Sequence, residues 1–237
     1  MITHLADENC KYLVRNSNES AMKRPERDMH PHVRLIKAVR YSKARVLFLG
    51  YGPDETPLIS EIVQAKCNVW HTKEPINSFD GYDLVISYGY RYILKKKMLE
   101  STDAPIINLH LSYLPWNRGS HPNFWSFYDQ TPSGVTIHLV DEGVDTGPII
   151  YQRHVYFSKE ENTYTATYIR LRREMDQLFR ENMDAILSMD FVAIAQVGKG
   201  SSHSMAQLPL GFSGWDSVIN DEIVRLKRLS SYQNNTK

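Results

Sequence analysis

Cysteine is nearly missing from this chain. Two occur in 237 residues, Cys10 and Cys67, distant from each other and outside any CxxC spacing. That excludes a disulfide-stapled secreted scaffold and a cysteine-built zinc site, and it sets the expectation of an intracellular, cytoplasmic protein. An excess of charge is missing too: 28 Lys and Arg stand against 27 Asp and Glu, a formal net charge of +1. No global positive field draws such a chain to a nucleic-acid backbone, so no nucleic-acid partner is expected. Nothing approaches the ~18 consecutive apolar residues of a membrane span. The opening MITHLADENCKYLVRNSNES has neither the basic start nor the apolar stretch of a signal peptide. The loop GYGPDETP lacks both GxGxxG and GxxxxGK, so it carries no phosphate-loop signature. His110, His121 and His138 do not have the local spacing of a zinc site, and no metal is expected.

What is present is an ordinary globular composition, 42% hydrophobic and 23% charged, in a chain long enough to bury a core without staples. Residues 1–44 are polar and charged, with one short amphipathic candidate at Val33, Leu35, Ile36 and Val39. Pattern assigns this N-terminal extension no role. From Arg45 the character changes. RVLFLG reads as a buried strand, Pro57 to Lys66 as a helix with apolar Leu58, Ile59, Ile62 and Val63, and CNVW as the next strand. YDLVIS and PIINLH are two further buried strands, separated by a basic helix candidate, YILKKKMLE. Lys95, Lys96 and Lys97 read as the solvated side of that helix. There follow the loop SYLPWNRGSHPN, a helix candidate at Phe124 to Asp129, a half-buried strand GVTIHLV, the loop DEGVDTGP and the strand PIIYQRHVYF. A single long helix is expected over 163–188, striped by Tyr168, Leu171, Met175, Leu178, Met183 and Ile186. Strands alternating with helices predict an α/β fold, a mostly parallel sheet with helices on both faces. The expected organisation is one domain over 45–190 with extensions at 1–44 and 191–237, the latter packed on the domain with a short helix of its own.

Sheets of this kind place ligands at the carboxyl ends of their strands, which draws attention to the end of PIINLH. Asn108 and His110 are i and i+2 on that strand, so their side chains share a face. Asp145, in the loop DEGVDTG, is a third polar residue able to meet that face. No Ser or Cys belongs to the set, so a covalent acyl-enzyme is not its chemistry, and the nucleophile has to come from the substrate. For acyl transfer to an amine the three residues cover three needs: an amide donor for the oxyanion, an imidazole to move the proton, and a carboxylate to orient and support the imidazole. Each also has a plainer reading, since a strand histidine is commonly structural and Asn and Asp commonly build turns. His138 points either into the same crevice or to solvent. Trp116, Phe124 and Trp125 read as packing, or as a platform for a flat ligand.

The stretch INLHLSYLPWNRGSHPNFWSF followed by GVTIHLVDEGVDTGPIIYQ resembles the formyl-tetrahydrofolate-dependent formyltransferases. The likeness runs through Asn-x-His-x-Ser, the Leu-Pro and Gly of the next loop, Gly-Val-Thr-x-His and Asp-Thr-Gly, over residues 80–160 closely and 45–190 more loosely. It implies a Rossmann-like formyltransferase fold, with Asn108, His110 and Asp145 as the catalytic set and formyl-tetrahydrofolate as the donor. It also implies that backbone groups hold the pterin in two stretches, one with Tyr88, Gly89, Tyr90, Tyr92 and Leu94, the other with Val140, Asp141 and Gly143.

The resemblance bears on the acceptor as well. Methionyl-tRNA formyltransferases carry a further C-terminal domain and a basic character, so with a net charge of +1 that acceptor is not expected. LPWNRGSHPNFWS and GWDS look more like the sugar-nucleotide N-formyltransferases. These imply a dTDP-linked amino-dideoxy sugar such as dTDP-4-amino-4,6-dideoxyglucose or a 3-amino isomer, a role in lipopolysaccharide O-antigen synthesis, and a homodimer. A pyrophosphate calls for a cation, and Arg118 is the candidate, with Ser112, Asn123 and Trp125 completing the expected acceptor side. Glycinamide ribonucleotide or another small amine is the alternative acceptor, and a non-catalytic folate-binding protein the alternative class. One departure stands out: the first core strand lies nearer Asn108 than the family usually places it. The front of the sheet is therefore expected to be shortened or rebuilt.

Overall fold

The computed structural model describes residues 11–13, 32–39 and 42–234. The first half holds β1 (Lys11–Leu13), β2 (Arg34–Lys37), β3 (Arg45–Gly50), α1 (Leu58–Gln64), β4 (Asn68–Thr72), β5 (Leu84–Tyr88), α2 (Lys96–Leu99) and β6 (Ile106–His110). The second holds β7 (Arg118–Gly119), α3 (Pro122–Tyr128), β8 (Gly134–Leu139), β9 (Ile149–His154), α4 (Tyr164–Glu181), α5 (Met183–Leu187), β10 (Val192–Ile194), β11 (Ser202–His203) and α6 (Ile219–Asn234).

Nine strands form one sheet in the order β1-β10-β9-β8-β6-β5-β3-β4-β2. Its centre, β4, β3, β5 and β6, is parallel, as alternating strands and helices dictate. From β6 outward, β8, β9, β10 and β1 join antiparallel, and β2 closes the opposite edge antiparallel to β4. Both faces of the parallel centre are buried. Val46 and Phe48 of β3 pack with Leu58, Ile59 and Ile62 of α1 and Leu171, Met175 and Phe179 of α4, while Leu47 and Leu49 meet Trp70, Phe79 and Met98 on the other side. A third cluster, Phe124, Trp125, Tyr164, Ile219 and Leu226, pins α6 against α3 and the start of α4.

Several elements differ from the pattern reading, each for a local reason. The amphipathic candidate near Leu35 is the edge strand β2. The long helix is interrupted at Asn182, whose Nδ2 donates back to the Leu178 carbonyl at 2.8 Å and competes with the helical ladder, so α4 and α5 are separate. The basic helix is a single turn, α2, because residues 92–94 run as irregular chain before it. β8 is not half-buried: Val135 to His138 are all buried, and its period of two separates a core face from a polar face. The helix of the tail, α6, extends over 16 residues rather than being short. A two-stranded parallel ladder between β11 and β7, which pattern did not foresee, fastens the segment after β10 to the loop after β6.

Candidate active site

The polar face of β8 faces that of β6. Register sets Asn108 opposite His138 and His110 opposite Thr136, so the two strands bring an amide and two imidazoles together where β6 ends. Asp145 arrives from the β8–β9 loop in a left-handed conformation, φ +53°. Asn117 (φ +58°) and His121 (φ +57°) in the facing loop share that conformation. Asp145 and His121 line one cleft and the buried Asn117 holds His110 from behind it, so three non-glycine residues in this sparsely populated region mark a site whose backbone is over-determined by its surroundings.

Asp145 is the hub. Its Oδ1 accepts from Asn108 Nδ2 at 3.0 Å and lies 3.5 Å from His138 Nε2. Its Oδ2 accepts from the Gly119 amide at 2.8 Å and lies 3.6 Å from His110 Nδ1. Gly119 has φ +85°, and a side chain there would meet the His203 carbonyl, so only glycine lets the loop pass close enough to deliver this amide. Burial pushes the Asp145 carboxyl up, but His110, His138 and the Gly119 amide together outweigh it and hold the group well below the usual carboxylate range. Asp145 is therefore an ionised carboxylate at neutral pH.

The hydrogen positions follow from the acceptors. His110 Nε2 is 3.1 Å from the Asn117 carbonyl, which can only accept, so this nitrogen carries a proton, and the other ring nitrogen faces the carboxylate. His138 Nδ1 likewise donates to the Leu139 carbonyl at 2.7 Å, and its Nε2 lies 3.3 Å from the Asn108 amide nitrogen and 3.5 Å from Asp145 Oδ1, where a proton on it supports the carboxylate. Asn108 Nδ2, Asp145 Oδ1 and His138 Nε2 make a nearly equilateral triangle with sides of 3.0, 3.3 and 3.5 Å. That angle at the amide nitrogen is too narrow for both N–H bonds. One N–H serves the two neighbours and the second is free for an incoming oxygen.

These residues line a cleft of about 980 Å³. Tyr88, Gly89, Tyr90, Tyr92 and Leu94 form one wall and Val140, Asp141 and Gly143 the facing one; Ser120, His121, Thr165, residues 202–205 and Trp215 form the other end, and Tyr168, hydrogen-bonded to Tyr51 against the Tyr88 ring, stands on the Tyr88 side. Asp141 Oδ1 accepts from the Gly143 amide at 3.0 Å and Thr146 Oγ1 at 2.6 Å, which stiffens its wall. Of the four acceptor-side expectations, the cleft lining includes Asn123 and leaves Arg118, Ser112 and Trp125 in the supporting wall. Asn123 Nδ2 is held by the Tyr164 carbonyl and Thr167, Trp125 stacks on His203 at 3.9 Å, and the Arg118 guanidinium binds Gln196. Ser112 is 2% exposed.

Sequence reasoning left His138 open and passed over Gln196. The structure turns His138 into the crevice, and Gln196 Nε2 donates to the carbonyls of Asp145 and Gly147, both at 2.8 Å, while its Oε1 accepts from Arg118. The only hint of such a role was the glycine punctuation of VGKGSS, whose Gly198 and Gly200 take positive φ where the tail turns back toward β7.

A model of the formyl transferase family matches residues 62–183, just over half of the chain. The chain belongs to the formyl transferase family. Within that family it is 40% identical over 85 residues to the methionyl-tRNA formyltransferase of Thermodesulfovibrio yellowstonii, covering 35% of this chain and 27% of that protein. It is 31% identical over 122 residues to the dTDP-4-amino-4,6-dideoxyglucose formyltransferase of Mycobacterium tuberculosis strain H37Rv, 52% of this chain and 51% of that one. The chain thus spans between about a quarter and a half of these curated relatives. Among solved structures it matches the formyltransferase PseJ from Anoxybacillus kamchatkensis, in complex with UDP-4,6-dideoxy-4-formamido-L-AltNAc and tetrahydrofolate. That match has a TM-score of 0.70 at 36% identity, over 77% of this chain and 99% of that one. The formyltransferase fold expected from the motifs is the fold observed. No helix among the described residues is long and apolar enough to cross a membrane, and no group of three or more His, Cys, Asp or Glu among them is arranged to hold a metal ion.

Proposed function

We propose that the protein is an N-formyltransferase that moves the formyl group of formyl-tetrahydrofolate to the primary amine of a nucleotide-linked 4-amino-4,6-dideoxy sugar. The observation that carries this is the convergence of Asn108, His110 and an ionised Asp145 between the two ends of one cleft, with no nucleophilic side chain among them. The wall at 88–94 and 140–144 suits a flat heterocycle: strand ends expose backbone groups there, and Tyr90 and Tyr92 stand edge to face at 5.4 Å beside them. Residues Tyr88 to Leu94 and Val140 to Gly143 would hold the folate, which supplies a formyl group on a nitrogen leaving group. The free N–H of Asn108 and a protonated His110 donate to the formyl oxygen as it gains charge. Asp145 accepts the proton the attacking amine must lose, and protonated His110 gives one to the folate nitrogen as its bond to the formyl carbon breaks; the proton then passes from Asp145 to His110 and restores the pair, so the new carbon–nitrogen bond forms without a trapped ammonium.

The remaining end of the cleft takes the sugar nucleotide. Two of the relatives are named for 4-amino-4,6-dideoxy or 4-formamido sugars, one on dTDP and one on UDP, which favours an amine at position 4. The higher identity to PseJ, 36% against 31%, favours UDP over dTDP as the carrier. Our reading takes the protein to act as a cytoplasmic homodimer supplying an N-formylated sugar for lipopolysaccharide O-antigen. Sedimentation of the purified chain tests the first part of this. The decisive experiment is tetrahydrofolate release with UDP-4-amino-4,6-dideoxy-L-AltNAc, dTDP-4-amino-4,6-dideoxyglucose, GDP-perosamine and glycinamide ribonucleotide. Turnover with one of the 4-amino sugars is expected. Turnover confined to glycinamide ribonucleotide, or none with any acceptor, would overturn the assignment.

A further inference from the structure

We propose that Arg91, Lys95 and Lys97 form a docking strip for the γ-linked oligoglutamate tail of the folate donor, a proposal that rests on the function given above. The stretch RYILKKK, residues 91–97, places four cations in seven residues with no acid among them, in a chain whose charge as a whole is only +1. The fold sets this stretch at the rim of the folate end of the cleft. Arg91 to Leu94 line it, and Lys95 follows as the residue before α2. Lys96 Nζ reaches Glu142 Oε1 at 2.7 Å, and Glu142 lies on the facing wall, so α2 sits where the two walls meet.

Charge at that rim is uneven. Lys96 is taken up by Glu142 and Glu100, and Asp141 by Gly143 and Thr146. Arg91, Lys95 and Lys97 are exposed and have neither an ion-pair nor a hydrogen-bond partner among the described residues. Between these cations the rim shows apolar surface to water, Tyr92 at 45% and Ile93 at 83% exposure. A folate presents the complementary order: a flat ring, an aryl stem, then a run of carboxylates that lengthens as glutamates are added through their γ-carboxyls. The ring enters between the walls, the stem crosses Tyr92 and Ile93, and the carboxylates emerge beside Arg91, Lys95 and Lys97. A merely solvated helix face would need no such apolar step and would show no preference for tail length.

The test compares binding of 5-formyl-tetrahydrofolate with one and with three glutamates, by calorimetry on the full chain at low salt and in 0.5 M NaCl, with no acceptor present. The triglutamate should bind about three- to tenfold tighter, the sum of a few exposed charge contacts, and its advantage should shrink at high salt as screening shortens their reach. In K95E/K97E the ratio between the two ligands should fall to near one. K199E, which makes the same kind of charge change in the segment after β10, should keep it. Equal affinity for both folates, or a preference that survives K95E/K97E, overturns the strip and leaves the transferase assignment standing. Failure of the unaltered chain to bind either folate overturns both.

Discussion

Gln196 offers the sharpest test of how the site is held, because one side chain ties two loops together. Replacing it by Leu keeps most of its volume and removes four contacts: two donated to the Asp145 and Gly147 carbonyls at 2.8 Å each, and two accepted from Arg118 at 3.0 and 2.7 Å. A neutral hydrogen bond contributes about 1 kcal/mol net and one to a charged group about 1.5–3. Gln196 is half-buried, so water recovers part of this, and a loss of about 2–4 kcal/mol in urea unfolding is expected. The catalytic effect arises by another route. Asp145 is freed to leave φ +53°, and the neighbouring Gly119 amide loses its anchor through Arg118. A displacement of about 1 Å in such a group costs on the order of 100-fold. In steady-state assays of the folded variant, kcat should fall about 10- to 100-fold with both KM values within about threefold of the parent. Gln196→Glu divides the clamp, since it keeps the Arg118 pairing but sets a carboxylate against two carbonyls. Its kcat should therefore be as low as that of Q196L while more stability survives. A folded Q196L enzyme with kcat within a factor of two of the parent would refute the idea that this residue positions Asp145.

Other expectations follow from the same geometry. His110→Asn should lower kcat by about 10²–10⁴ with an unchanged circular-dichroism spectrum; near-parental turnover would remove His110 from the chemistry. The depressed Asp145 carboxyl makes acid stability diagnostic. Its folded pKa lies below the unfolded value of about 3.9, so its contribution is complete above that pH and is lost as pH falls from there toward the folded value. The parent should therefore lose stability more steeply than D145N below about pH 4, and parallel acid-denaturation curves would contradict the assignment. Gly50 has φ +102°, and a Cβ there would lie 2.1 Å from the Tyr88 carbonyl. Gly50→Ala should cost more than about 2 kcal/mol in chemical unfolding, or prevent folding. Trp215, 41% exposed at the end of the cleft proposed for the acceptor, should when changed to Ala raise acceptor KM several-fold and leave the donor KM unaltered.

The central sheet was legible because its strands are short apolar runs with distinct ends, and the i, i+2 spacing of Asn108 and His110 is by itself enough to give them a shared face. Asp145 was legible as a polar residue in a glycine-bearing loop of a recognisable motif. His138 was ambiguous because alternation reveals that a strand has two faces and not which one is wet; on β8 neither is. The acceptor side was hard for a different reason. Arg118 carries the charge a pyrophosphate wants, but a guanidinium binds whatever planar acceptor the fold supplies, and here that acceptor is Gln196, 78 residues away. The break at Asn182 depends on one side chain turning back on its own helix, which a periodic stripe does not encode.

The β7–β11 ladder and the Gln196 clamp also bear on how the molecule is made. All four parallel strands and the three polar residues of the site precede residue 190 in the chain, yet the contacts that fix the Asp145 and Gly119 loops come from residues 196–203. On a ribosome emitting residues in order, the sheet can assemble first while its chemistry stays unset. Competence for turnover is then a late event in synthesis, acquired when the segment after β10 emerges and closes onto a finished scaffold.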